Sequence, residues 1–210
     1  MNTLAVVVPV KSDGGKSRLS PVLTANERKA FARSMFLGLL GALTKAGLIG
    51  SCMVVSSDRD ALKFAAALGA RPVRERADSG VNSAVHAAMA AAPKAGEFLV
   101  LPSDLPLLRA PDVLGLLRLR ALGPEIVLSP SSSFDGTNAL LFPRDPSFPL
   151  SFDRDSFWNH LDGASGLGFS VGVCARRGIM FDVDSPADLM RLAGSKARSE
   201  SAGLARELAR

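Results

Sequence analysis

Leu4 to Val10 is an unbroken apolar run, Leu-Ala-Val-Val-Val-Pro-Val, in which β-branched residues dominate. A continuous run of this kind, without polar alternation, predicts a strand buried on both faces, as inside a parallel sheet. Residues 11–18 turn polar and carry glycine, which predicts a loop. Thr24 followed by Glu27 is the signature of a capped helix start, and Phe31, Met35, Leu39, Leu40 and Leu43 then recur at helical spacing as far as Gly47. The alternation repeats: strand 51–57, helix 60–68 closed by Gly69, strand 71–74, helix 82–92, strand 98–102, helix 112–122 and strand 125–129. Strand and helix in turn, with short connections, predict an α/β fold with a mostly parallel central sheet and helices on both faces. Ligands of such sheets bind beyond the C-terminal strand ends, so the loops 11–18, 78–82 and 103–106 should share one edge.

The pattern loosens after residue 130. A strand is predicted over 138–142, then a loop or flap rich in Pro and Phe over 143–152, a helix over 156–161 and a strand over 169–175. A further strand is predicted over 178–184. Ser185-Pro186 reads as a helix start, with proline at the first position of a helix reaching about Leu192. Residues 1–193 therefore read as one domain. Residues 194–210, with four basic and two acidic side chains, read as a basic surface helix or frayed tail.

Composition narrows the function classes. The 210 residues are 47% hydrophobic and 21% charged, enough for a real core, and the formal charge of +5 suits an anionic partner such as a nucleotide or phosphorylated metabolite. Cys52 and Cys174 sit in apolar runs and read as core residues; with only His86 and His160 beside them, a structural metal cluster is poorly supplied. No stretch approaches the ~20 apolar residues of a membrane helix, and the N-terminus lacks a signal-peptide pattern, so a cytoplasmic protein is expected. A nucleic-acid module would interleave aromatic residues with its cations, and the 11–18 loop has none.

Candidate chemistry lies in five segments. Lys11, Lys16 and Arg18 put three cations on a glycine-softened turn after the first strand, a candidate triphosphate clamp. Gly15-Lys16-Ser17 is not a Walker A loop, because Val10 stands where its first glycine belongs and Pro21 breaks the helix it needs. In the second segment, Leu-Pro-Ser-Asp-Leu-Pro at 101–106, a strand delivers Asp104 between two prolines; beside a nucleotide it is a natural Mg²⁺ ligand. Asp182 and Asp184, at i and i+2 of an extended segment, are the candidates for the rest of that metal set. Gly80 and Asn82 open a helix with small residues and suit the approach of a ribose or base. Residues 131–138 and 152–157 offer hydroxyls and Arg154 for a second anion, and His160 reads as exposed or capping the core. No Ser-His-Asp or Cys-His nucleophile arrangement is present.

Together the segments resemble the 2-phospho-L-lactate guanylyltransferases. Val8-Pro9-Val10-Lys11 with Gly15-Lys16-Ser17-Arg18-Leu19-Ser20-Pro21 is similar to the opening of that family. Leu101–Pro106, Gly136–Leu140 and Asp182–Leu189 resemble its later blocks, in order. The resemblance implies a Rossmann-like nucleotide-diphospho-sugar transferase fold. It also implies transfer of GMP from GTP, with Mg²⁺, to 2-phospho-L-lactate, phosphoenolpyruvate or 3-phosphoglycerate in coenzyme F-420 biosynthesis, with release of pyrophosphate. Taken with the residue readings above, it makes Lys16, Arg18 and Asp104 the catalytic candidates, and Lys11, Gly15, Gly80, Asn82 and Ser103 the nucleotide candidates. Thr137, Asn138, Arg154 and Ser156 would face the acceptor acid, and Asp104, Asp182 and Asp184 the metal. Asp153 stands where the family has glycine, which places a carboxylate beside an anionic acceptor. The competing readings are a nucleotidyltransferase for a sugar phosphate or molybdopterin, and a GTP-binding protein without catalysis. A homodimer is expected if the 143–160 excursion acts as an arm.

Overall fold

A computed structural model describes residues 3–12 and 16–209. Its elements are β1 (Leu4–Val10), α1 (Ala25–Lys45), β2 (Cys52–Ser56), α2 (Arg59–Ala67), β3 (Arg71–Arg74), α3 (Gly80–Ala91), β4 (Glu97–Val100) and α4 (Ala110–Ala121). There follow β5 (Ile126–Pro130), β6 (Thr137–Pro143), α5 (Ser156–Gly166), β7 (Val171–Val173), α6 (Arg177–Met180), α7 (Pro186–Ala193) and α8 (Glu200–Leu208). The strands form one seven-stranded sheet in the order β3-β2-β1-β4-β6-β5-β7. All neighbours are parallel except β6, which runs antiparallel to β4 and β5.

The apolar run of β1 is explained by its place at the centre of this sheet. Val6 and Val8 belong to the cluster that packs α1, α2 and α4, whereas Ala5 and Val7 face α3 and the α5 region. Both faces are therefore sealed over residues 5–8, where a polar side chain would carry a burial cost. The start of α1 bears the capping box read from its sequence: the Thr24 side chain accepts from Glu27 N–H and Glu27 accepts from Thr24 N–H. Gly47 leaves that helix at φ +74°.

Two expectations are corrected. Residues 178–184 are not a strand: α6 makes one helical turn, and 181–184 run unpaired. The Asn138 side-chain amide donates to the carbonyls of Ile179 and Met180 and so occupies acceptors that a ladder would use. The 143–160 excursion is no projecting arm. Phe148 stacks on Phe142 at 5.4 Å and lies beside His160 at 6.1 Å, within the chain's own second core cluster. Of the two readings of residues 194–210, the helix is found and the frayed tail is not. Ser199 caps α8, and Ala202 and Ala205 are fully buried against α1 and α7 in a third cluster with Phe31, Met35 and Leu192. Among the described residues no helix is long and apolar enough to cross a membrane.

The docking of α8 is testable. Ala205→Asp should lower the unfolding free energy in urea by about 2–4 kcal/mol, because it buries an unpaired carboxylate in a closed cluster. The exposed Glu207→Ala should change it little. Equal, negligible effects would mean that the segment does not pack in solution.

Candidate functional site

The C-terminal strand edge opens into one cavity of roughly 1090 Å³. It is lined by the 11–18, 78–82 and 102–104 loops, which meet as the strand alternation requires. Its centre is an ion cluster. Lys16 adopts a left-handed backbone (φ 57°, ψ 31°) ahead of a single 3₁₀ turn, Ser17–Leu19. A non-glycine residue in this region stores strain, and here the conformation sends the ammonium inward. Its Nζ lies 2.6 Å from Asp104 Oδ2 and 2.7 Å from Asp184 Oδ1, and the side chain is only 7% exposed. Burial works against the ammonium's charge, but the two carboxylates outweigh it and raise its pKa to about 12.

Around this pair the carboxylates divide. Asp184 also faces Arg18, whose Nη1 is 3.6 Å from its second oxygen; these cations outweigh its burial and hold its pKa low. Asp182 lies deeper. Burial first, then the charges of Asp104 and Asp184, push its pKa up to about 6, against a hydrogen bond donated by Asn138. The three carboxylates of the candidate metal set, Asp104, Asp182 and Asp184, meet here around Lys16, and Asp184 also pairs with Arg18. Asp104 and Asp182 each keep one carboxylate oxygen without a hydrogen-bond donor among the described residues. One or two protein carboxylates completed by phosphate oxygens is an ordinary Mg²⁺ environment.

On one side of the cluster, toward β3, the cavity is lined by Lys11, Glu75, Asp78, Gly80 and Ser103. Gly80 opens α3 at φ +86°, a conformation that side chains avoid. Asp78 braces the β1 loop: it accepts from Ser12 N–H and Oγ, and from Ser57 Oγ. Asn82 does not face the cavity. Its Oδ1 accepts from Phe152 N–H and its Nδ2 donates to Asp153 at 3.4 Å, so it ties α3 to the 152–153 loop. Gly15 lies outside the described residues.

On the other side, toward β6, lie Thr137, Ser156, Asp153 and Arg154. Ser156 Oγ accepts from Thr137 N–H at 2.7 Å. His160 is fully buried, and its Nε2 accepts from Ser151 N–H at 3.0 Å. The ring proton must then sit on Nδ1, which points at Thr137 Oγ1 at 3.0 Å. Both hydroxyls accept a hydrogen bond from the protein, which leaves both O–H groups to donate into the cavity. His160 is therefore neither exposed nor a mere cap, and burial lowers its pKa to about 4. Asn138 also lines the cavity, and its Nδ2 donates to the carbonyls of Ile179 and Met180 and to Asp182, which anchors the carboxylate segment.

Sequence reading passed over Glu75 and the brace made by Asp78. The available signal was position: both follow β3 at the C-terminal edge that binds ligands in such sheets.

The chain is similar to known proteins over most of its length. The family described as "Guanylyl transferase CofC like" matches residues 4–201. The chain is 42% identical to phosphoenolpyruvate guanylyltransferase of Rubrobacter xylanophilus, with 90% of this chain and 93% of that one covered. It is 34% identical to 3-phospho-D-glycerate guanylyltransferase of Phenylobacterium zucineum (86% and 84%) and 32% identical to 2-phospho-L-lactate guanylyltransferase of Methanothermobacter thermautotrophicus (90% and 83%). Among solved structures, a nucleotidyl transferase from Methanothermobacter thermautotrophicus superposes with a TM-score of 0.65 at 14% identity, over 91% of this chain and 96% of that one, a likeness of fold.

The neutral, buried His160 makes a stability prediction. Its folded pKa of about 4 lies below the ordinary 6.5, so its contribution is complete above pH 6.5 and lost as pH falls toward 4. Across that window the wild type should lose roughly 3 kcal/mol relative to His160→Gln, which cannot titrate. Asp182, with its raised pKa, acts in the opposite direction but cancels in the comparison. Parallel pH profiles in denaturant titrations would refute the assignment.

Proposed function

This chain belongs to the family of CofC-like guanylyl transferases, and from that premise we propose that it joins the guanylyl group of GTP to the phosphate of a small phosphorylated acid, releasing pyrophosphate. The observation that carries this reading is the Lys16–Asp104–Asp184 cluster, with Asp182 beside it, between a β3-side chamber and a β6-side chamber of one cavity. Two substrates entering from the two sides would meet at that centre. An oxygen of the acceptor phosphate attacks the α-phosphorus of GTP, the bond to the β-phosphate breaks, and pyrophosphate carries away the electron pair.

No protein nucleophile or strong base is required, since the acceptor is already ionised. Both cysteines are buried, and His160 is committed to Thr137. Catalysis then rests on positioning and charge. Lys11 and Arg18 hold triphosphate oxygens; Lys16 fixes Asp104 and meets negative charge at the reacting centre. The hydroxyls of Thr137 and Ser156 donate to the acceptor acid, and Arg154 stands at its mouth. Asp104 and Asp182 would hold Mg²⁺ with phosphate oxygens. Bound there, the metal would neutralise charge on the triphosphate and on departing pyrophosphate. The relatives named for phosphoenolpyruvate, 2-phospho-L-lactate and 3-phospho-D-glycerate support a three-carbon acid, and the 42% identical one puts phosphoenolpyruvate first. A cytoplasmic place in coenzyme F-420 biosynthesis follows from the same reading.

Purified protein with Mg²⁺ and GTP should release pyrophosphate with one of these three acids. The nucleotide product should have the mass of a guanosine diphosphate-linked acid, and Asp104→Ala should lower kcat by about 100-fold or more. GTP binding without release for any of the three would reject the transferase reading.

The carboxyl of Asp182 must ionise to hold a metal, so Mg²⁺ affinity should fall about tenfold per unit as pH drops below about 6. Calorimetric titration of Mg²⁺ between pH 5 and 8 checks this; an affinity that ignores pH there would remove Asp182 from the set.

A further inference from the structure

The β3 side of the cavity holds an acceptor that nothing satisfies. Glu75 follows β3, lines the cavity, and buries its Oε1 with no hydrogen-bond partner among the described residues. A buried carboxylate oxygen without a donor is costly; protein atoms cover Oε1 as the side chain stands, and a rotation of the half-buried Glu75 side chain would bring both its oxygens to donors in the cavity. Its neighbour Asp78 already accepts three hydrogen bonds, from Ser12 and Ser57, and both of its oxygens are engaged.

The layout says which part of the nucleotide comes here. The α-phosphorus must reach the Lys16–Asp104 centre, below β1 and β4, and the acceptor hydroxyls Thr137 and Ser156 stand on the β6 side. The nucleoside therefore extends the other way, past Gly80 toward Glu75.

We propose that Glu75 selects the base, its carboxylate accepting hydrogen bonds from the N1–H and the 2-amino group of guanine. Guanine alone among the common bases sets two N–H donors side by side on its pairing edge. Adenine and cytosine place a ring-nitrogen lone pair beside their amino group, and uracil flanks one N–H with two carbonyl oxygens. Against a carboxylate those edges put acceptor on acceptor. The hydrogen bonds to guanine are charge-assisted, the stronger kind. Burial, and then the nearby charge of Asp78, raises the Glu75 carboxyl's pKa, the mark of an acceptor that lacks its donor.

The inference rests on the guanylyltransferase reading but is tested by binding. Titration calorimetry with Mg²⁺ would compare GTP, ITP (which lacks the 2-amino group) and ATP on wild type, Glu75→Ala and the near-isosteric Glu75→Gln. Wild type should bind GTP about 10- to 100-fold tighter than ITP, and both variants should bring that ratio near one. A ratio kept in the variants, or all three nucleotides weakened equally, overturns the proposal, as does a wild type that does not distinguish GTP from ITP. A guanine preference lost in both variants, in a protein that releases no pyrophosphate with any acid, would uphold Glu75 and reject the reaction instead.

Discussion

A lysine ammonium that is 7% exposed can stay charged only if carboxylates are brought to it, and here they come from two distant parts of the chain. Asp104 lies 88 positions from Lys16 and Asp184 lies 168 positions away. Neither pairing is local, so each depends on the sheet having closed: β1 delivers the lysine loop, β4 its neighbour delivers Asp104, and the segment after α6 delivers Asp184. The interaction cuts both ways. Desolvating these ions is expensive, and a well-matched buried ion pair contributes little net stability, yet leaving one member unpaired would be severely unfavourable. The cluster thus acts as a constraint of register, which locks three loops into one geometry. The left-handed backbone at Lys16 belongs to the same constraint, since that strain persists only where surroundings over-determine it.

The supporting groups show how that geometry is held. Asn138 fastens the Asp182 segment, Asp78 fastens the β1 loop to β2 and β3, and His160 fastens Thr137. None of these three needs to touch a substrate. They fix side chains that do, which is the role outer hydrogen bonds take in pre-organised polar sites.

Much of this was legible in the sequence where one physical cause dominates. Continuous apolar runs bounded by turn residues located β1 to β5 with small errors at the ends, because burial on both sheet faces admits few alternatives. The Thr24 and Ser185 caps were legible because a cap is a local contract between residues three apart. Asp104, Lys16 and the 182–184 carboxylates were legible as chemistry, but their mutual pairing was not, since nothing local says that a lysine will lie between two aspartates. For the same reason the partners of Asn82 and Asn138 were not legible. An amide beside a glycine turn has the same local pattern whether it meets a ligand or a backbone carbonyl. Residues 178–184 failed differently: their apolar alternation fits a strand, but tertiary hydrogen bonds from Asn138 override it.

Electrostatics of the cavity run against the charge of the chain. The protein carries a formal +5, and its β1 loop looks like a ready phosphate clamp. Yet ten acidic and seven basic side chains line the cavity, and the best-placed cation, Lys16, is already neutralised by two carboxylates. An empty site of this balance repels a triphosphate at its centre and attracts it only at the rim, where Lys11, Arg18 and Arg154 stand. That is the physical ground of the proposed Mg²⁺ at Asp104 and Asp182: two phosphorylated anions approach one another over a carboxylate cluster far more readily when positive charge enters with them. It also gives Asp153 a reading. Tethered to Asn82, it adds a further negative charge on the acceptor side, so the acceptor must be held by donors that tolerate it. The hydroxyls of Thr137 and Ser156, which line that side of the cavity and each meet a protein N–H donor, are the donors that the proposed reaction uses there.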